Sequence, residues 1–321
     1  MKHLSLWAGK LFALFVLGLP FYPLVQAEEG GSGHYLPGSM SDFMDAVPAQ
    51  ETFIARYNLI YYDGSASATQ PLPIAAMQTL GAAATIWGHG LTLLWRPPIE
   101  LGDRWSYALS ATVPFMWAEV SANVTVGPKT GQISSRVNGL GDIVLMPLML
   151  NYNINSNLNV NFRTGIYAPT GDYEVGRLAN TGKNFWTLEP TLALIYFGVN
   201  NGREASIFVG ADFNTENPDT DYQSGTQFHV DGTLAQHFPL FGGLAGVGAN
   251  GFWYEQITGD SGSGTNLGAF ESQTTGVGPV VSYIFKIGRV DLLAEAKWLH
   301  EVDTTKRLEG DIVWFKLIAK F

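Results

Sequence analysis

Cysteine is absent from all 321 residues, so neither a disulfide framework nor a thiolate metal site is available. Charge is sparse too, at 14% of residues, and it leans acidic, with a formal net charge of −10. That balance argues against a nucleic-acid partner, because replacing the counterions of phosphates takes a basic face. Beyond residue 27 no stretch supplies the ~18 consecutive apolar residues of a spanning helix. Aromatics, by contrast, reach 13%, and there are 37 glycines. An exported chain of this make-up is either a secreted β-protein or a barrel in an outer membrane.

Export itself is read from residues 1–27. Lys2 and Lys10 precede the apolar run LFALFVLGLPFYPLV, and VQA closes it, so cleavage is expected after Ala27. Pro20 and Pro23 interrupt the run and leave it short of the ~20 residues a spanning helix needs. Removing two lysines and no acid takes the formal charge from −10 to −12.

Period-two alternation between turn signals predicts twelve strands, near 51–62, 83–95, 104–119, 140–153, 158–169 and 184–199, then 204–216, 225–237, 243–257, 271–286, 289–301 and 308–321. Their connections alternate in length. Long segments at 63–82, 120–139, 170–183 and 258–270 take turns with short ones such as INSN, NNGR and IGR. An even strand number, tight periplasmic turns and longer outer loops describe an up-and-down barrel with both chain ends in the periplasm. A soluble sandwich has no reason to sort its loops by parity. The expected fold is therefore an all-β, antiparallel transmembrane barrel over 51–321, in the outer membrane of a Gram-negative bacterium.

The faces of the strands agree. Trp105, Tyr107, Leu109, Val113, Phe115 and Trp117 form one apolar face with aromatics at its two ends, as interfacial girdles require. At the end of the chain, DIVWFKLIAKF has a wholly apolar face of Val313, Phe315, Leu317, Ala319 and Phe321. If the last hairpin centres between Thr305 and Lys306, Asp291 faces Lys320 and Glu295 faces Lys316. Lys297 then meets Trp314, a geometry suited to a cation–π contact. On the other face Leu292, Ala294, Ala296 and Trp298 meet an unbroken apolar band. A final strand ending on an aromatic, Phe321, resembles the signal by which the barrel-assembly machinery recognises outer-membrane barrels.

Several passages resemble one family of outer-membrane proteins, named for a pathway of phenol degradation. They are GSGHYLPGSMSDFMDAVP at 31–48, NLIYYDG at 58–64, GLGDIVLMPLML at 139–150 and TGIYAPTGDYEVG at 164–176. The resemblance continues to the closing EAKWLHEVDTTKRLEGDIVWFKLIAKF. It implies a barrel regarded as a transporter or channel, loosely tied to catabolism of aromatic compounds. No catalytic residues come with it.

An enzyme needs a constellation. Outer-membrane phospholipases also have twelve strands, but none of His34, His89, His229, His237 and His300 lies in a stretch resembling their histidine–serine strand. His229 and Asp231 share a strand face, with His237 farther along it; DTD at 219–221 and TGD at 258–260 sit in outer loops. Scattered lumen polarity and solvated loops account for these, so no metal, cofactor or catalytic residue is expected. The functional surface is expected to be the lumen. By period two, Arg56, Arg163, Glu189, Asp212, His229, Asp231, Asp291, Glu295, Lys297, Lys316 and Lys320 point inward. Ile54, Tyr62, Tyr167, Phe208 and Trp314 accompany them. Fixed charges mixed with apolar contacts suit a small hydrophobic or aromatic solute. The contrary expectation is a structural or adhesive barrel whose twelve strands enclose only their own side chains. Residues 28–50 carry His34, Tyr35, Phe43 and Met44, too apolar a set for an idle tail, and are expected to fold into the lumen as a plug.

Overall fold

The computed structural model describes residues 33–67, 71–74, 77–126, 129–265 and 270–321. The expected signal, 1–27, and residues 28–32 lie outside them. The strands are β1 (Thr52–Ser65), β2 (Pro71–Ile74), β3 (Met77–Arg96), β4 (Trp105–Val126), β5 (Lys129–Leu140), β6 (Ile143–Asn153) and β7 (Leu158–Ala168). They continue as β8 (Thr187–Phe197), β9 (Arg203–Asn214), β10 (Gln227–Leu240), β11 (Gly243–Gln256), β12 (Gln273–Ile287), β13 (Val290–Thr305) and β14 (Glu309–Lys320).

Twelve of these close a ring. From β3 it runs through β1, then back from β14 down to β6 in order, then to β4, which returns to β3. The ring pairings are antiparallel throughout, and β1 meets β14 over its whole length, from Ile54 opposite Lys320 to Ser65 opposite Glu309. Closure leaves no sheet edge, so the backbone polar groups at bilayer depth have partners. The last hairpin has the register read from its charges, with Glu295 opposite Lys316 and Asp291 opposite Lys320.

Two predicted loops are mostly strand. Within 63–82, β2 pairs with the start of β3; within 120–139, β4 runs on to Val126 and turns back as β5. These stretches are rich in Ser, Thr, Gly and Asn, a composition that reads as loop. They still alternate, and hydrogen-bonded pairing continues past the apolar band wherever a neighbour offers a free edge. β5 and β6 follow one line along β4, broken at Gly141–Asp142. The turns at the end of the barrel holding the chain termini are tight: Phe241 and Gly242 both take positive φ, as a two-residue hairpin turn demands.

The outer face is greasy. Leu91, Leu93, Leu188, Leu192, Leu194, Leu234, Val281, Phe315 and Leu317 are among its exposed apolar residues. So continuous an apolar girdle has hydrocarbon, not water, as its solvent. Aromatics mark its two borders. Phe53 stacks on Trp95 and Trp105 packs on Tyr152 near the termini; Tyr61 packs on Trp87 and Phe228 on Trp253 toward the loop end. Trp87 and Trp95 are separated by roughly 26 Å of strand, which strand tilt reduces to about a bilayer's apolar thickness.

Candidate functional site

A ring of twelve strands is wider than the eight-stranded barrel whose interior side chains just fill. Here the space is taken by residues 33–47, which run from the loop end to the end carrying the termini. His34 lies beside Asp142, at the break between β5 and β6, and beside Thr187, the first residue of β8. Tyr35 donates to Asp231 on β10 and stacks between His229 and Tyr254. Trp314 on β14 donates to the Pro37 carbonyl, at 2.8 Å. Gly38 has φ +78°, and a Cβ there would strike Leu299 and crowd Trp314. A residue with a side chain would be strained in that backbone conformation and would push Leu299 aside. The segment then makes a 3-10 turn, Phe43–Asp45, capped by the Asp42 carboxylate on the Met44 amide. Finally Val47 packs on Leu94, Ala108 and Met149. Contacts with strands on all sides of the ring place the segment within it.

Around the turn lies a balanced charge cluster. Lys316 Nζ is 3.0 Å from Asp45 and 3.4 Å from Asp42; Lys297 Nζ is 3.1 Å from Asp42 and 3.0 Å from Glu295. Arg56 reaches Asp45 at 2.8 Å. Three carboxylates thus meet three cations, with Lys297 also donating to Ser41. Buried charges persist when they are paired, and each of these has an opposite charge within 4 Å, although Glu295 Oε1 and Arg56 Nε lack a hydrogen bond. Asp42 and Asp45, which the inward-facing pattern of the strands could not supply, come from the segment itself.

The other expected lumen residues divide. Arg163, fully buried, donates to Asn161 and to the Asp45 carbonyl and lies over the Phe208 ring. Tyr62 donates to Glu301, and Tyr167 to Glu189 at 2.5 Å. Ile54 packs against the Val47 cluster. Met44 is buried, while Phe43 packs on Phe197 and His237. Two expectations fail in detail. Lys297 gives its ammonium to Asp42, Glu295 and Ser41, and Trp314 gives its N–H to Pro37, so charge pairing replaces the cation–π contact. Asp291 and Lys320 stand opposite in register at the rim as expected, but the Asp291 carboxylate pairs at 2.9 Å with exposed Lys286, which stands opposite it on the other side, on β12.

Toward the loop end, Asp142 gathers one loop. Its Oδ1 accepts from the Thr170 and Gly171 amides, and its Oδ2 from the Lys183 amide and from His34 Nε2 at 2.9 Å. That explains the aspartate of GLGD: it pins 169–183 over the strand break. Burial pushes the His34 pKa down, and the Asp142 carboxylate only partly restores it. Glu204 was missed as a site residue, although it faces inward at the start of β9. It accepts from the Phe43 amide and bonds His237 at 2.8 Å. The acids of the outer loops are also engaged: Asp260 accepts from Tyr222, Gly225 and Gln256, and Asp219 from Asn184.

Deeper on the same side, Glu189, Asp212 and His229 converge from β8, β9 and β10, which are adjacent in the ring. Thr191, Gly210 and His229 are laterally aligned. Gly210 is required there, because a Cβ would lie 2.4 Å from the imidazole.

Comparison with known proteins places this architecture. The model of the family described as "Putative MetA-pathway of phenol degradation" matches residues 63–317. Among solved structures, an outer membrane channel from Pseudomonas putida F1 superposes with a TM-score of 0.65 at 17% identity, over 89% of this chain and 100% of that one. The β domain of the Bordetella autotransporter BrkA gives 0.46 at 12% identity, over 84% and 98% of the two chains. A Pseudomonas aeruginosa FadL homologue gives 0.40 at 8% identity, over 84% and 90%. No curated protein matches the chain. The likeness to the Pseudomonas putida channel is one of fold.

Proposed function

Since the chain belongs to the family described for the MetA pathway of phenol degradation, and its fold is that of an outer-membrane channel, we propose a gated path for passive uptake of a small hydrophobic or aromatic solute. Residues 33–47 are the gate. The observation that carries this reading is the way the segment is held. Its fixings are hydrogen bonds and ion pairs to side chains and, among the described residues, no strand of the ring pairs with its backbone. Such contacts can be exchanged for water without opening the barrel's own ladder.

What the segment covers fits the solute. Phe208 and Ile195 pack under Met40 and Phe43, while Leu299, Ile312 and Trp314 form an apolar wall with Tyr62 and Phe252. Beside these lie Arg56, Arg163, Glu189, Asp212, His229, Asp231, Glu295, Lys297 and Lys316, with Asp291 and Lys320 at the exit. Apolar surface between fixed charges is how a site binds an amphipathic aromatic without holding it too long. The family's association with phenol degradation points to the same chemistry. In this reading the chain is a conduit and not an enzyme. Lipid solvates its outer face, and Phe321, two-thirds exposed at the end of β14, serves recognition by the assembly machinery.

Flux of small phenols into liposomes tests the proposal, comparing the wild type with a variant lacking residues 28–48. Flux is expected to rise at least tenfold on deletion. Equal, negligible flux in both would favour the structural barrel with a blocked interior.

A further inference from the structure

We infer that Glu189, Asp212 and His229 form a binding site for a divalent transition-metal ion, with Asp231 as the group that orients the imidazole. Their ligand atoms lie within 4.8 Å of one another, and all three residues are buried. His229 Nε2 is 3.4 Å from Glu189 Oε1 and 3.8 Å from Asp212 Oδ1. Ligands of a zinc-like ion at ~2.0–2.2 Å stand roughly 3.3–3.5 Å apart, close to the two histidine–carboxylate distances, and the two carboxylates would draw together from within 4.8 Å. One imidazole with two carboxylates suits zinc or manganese better than calcium or magnesium, which prefer oxygen alone.

The polar atoms point to an ion independently of the spacing. Asp212 is 0% exposed, and among the described residues no side chain hydrogen-bonds its carboxylate; the backbone amide of Tyr35 is the one donor nearby. Neither ring nitrogen of His229 is hydrogen-bonded. Burying such groups unpaired is costly. Among the described residues, no lysine or arginine comes within 4 Å of the carboxylates of Glu189, Asp212 or Asp231. With all three carboxyls ionised, an imidazolium would return one positive charge against three negative ones, and the alternative relief is a proton on Asp212. A divalent ion on neutral imidazole returns two and satisfies Asp212 as well.

The surroundings are those of a metal-bound histidine. Asp231 Oδ2 lies 3.6 Å from Nδ1, on the side of the ring away from Glu189 and Asp212. Drawn in to hydrogen-bond distance as the ion seats, a carboxylate there would fix the tautomer that leaves Nε2 free to ligate. Asp231 is itself held by Tyr35 and by the Gly38 amide, both at 2.7 Å, and Tyr35 covers the imidazole at 4.0 Å. Glu189 is steadied by Tyr167 and Thr191. The ion would thus sit beneath the inner segment and strengthen its seat. His229 and Asp231 alone read as lumen polarity in the sequence, because the other two ligands come from different strands.

The full barrel, purified in detergent, stripped with a chelator and titrated with Zn2+ or Mn2+, tests this without any flux measurement. One ion per chain by elemental analysis and a raised thermal midpoint are expected. His229→Gln and Asp212→Asn should each weaken binding at least tenfold while circular dichroism keeps its β signature. His300→Gln, at an exposed outer histidine, should leave binding unchanged. No stoichiometric binding, or binding that both variants retain, would overturn the site and leave a protonated imidazole as the balancing charge.

Discussion

Two carboxylate clusters grip the same inner segment, and they are built on opposite principles. Near the termini, Asp42, Asp45 and Glu295 face Arg56, Lys297 and Lys316, and the charges cancel within the protein. Toward the loops, Glu189, Asp212 and Asp231 have, among the described residues, His229 as their one ion-pair partner within 4 Å. The first is complete in itself, so its strength depends on little outside the chain. The second is short of positive charge, so its strength depends on what the protein binds or on how it is protonated. A segment tied by one permanent and one conditional fastening can loosen at one end while staying anchored at the other. That is the construction the proposed gate requires.

Breaking the balanced cluster should give the largest effect. In Lys316→Met, Asp45 keeps Arg56 and Asp42 keeps Lys297, but three buried carboxylates face two cations. Removing one partner of a buried pair costs about 3–5 kcal/mol. The β14 ladder is untouched, so the loss should fall on docking of residues 33–47. Protease cleavage within the segment and flux approaching that of the deletion variant are expected. Unchanged cleavage would mean that the segment is held by its apolar contacts instead.

A neutralisation in the second cluster should have the opposite sign. Asp212→Asn removes a buried carboxyl that has no cation beside it and must either stay charged or take up a proton, so in the presence of chelator the variant is expected to be more stable than the wild type, by about 1 kcal/mol. With Zn2+ added, the wild type should gain stability and the variant should not. A variant less stable than the wild type even in chelator would show that Asp212 is balanced from within the protein, and the contrast between the clusters would vanish.

The balanced cluster was half legible in the sequence. Glu295 and Lys316 follow from the last hairpin, whose register is fixed by a short link and by an apolar face that a one-residue slip would turn inward. Asp42 and Asp45 were not legible as partners, because a segment outside the ladder has no periodicity to assign its faces. The second cluster was legible residue by residue but not as a cluster. Its assembly depends on the stagger of β8, β9 and β10; the link 198–202 is short, but the loop 215–226 between β9 and β10 is too long to fix it. The ring of twelve was the clearest feature, since outward apolar faces and loop parity are both written in local pattern. Loop boundaries were the weakest, because polar strands beyond the bilayer look like loops: Ser121, Asn123 and Ser134 all lie in paired strands.

The smallest expected effect concerns pH, and it isolates the loop end of the segment. His34, buried, has a pKa below its ordinary value, with Asp142 and Glu189 acting to raise it and Lys183 to lower it further. Released into water it would titrate near ~6.5. Between the two pKa values the released segment binds more protons than the docked one, so acidification through that window favours release and higher pH favours docking. A gap of one pH unit between them changes the docking equilibrium about tenfold. Flux measured at pH 5 and pH 8, at constant salt, should therefore be a few-fold higher at the acid end in the wild type. His34→Asn should flatten that difference, since Asn keeps a donor toward Asp142 but cannot titrate. If the flux ratio is the same in both proteins, His34 is a spectator, and the conditional fastening lies wholly with His229 and its carboxylates.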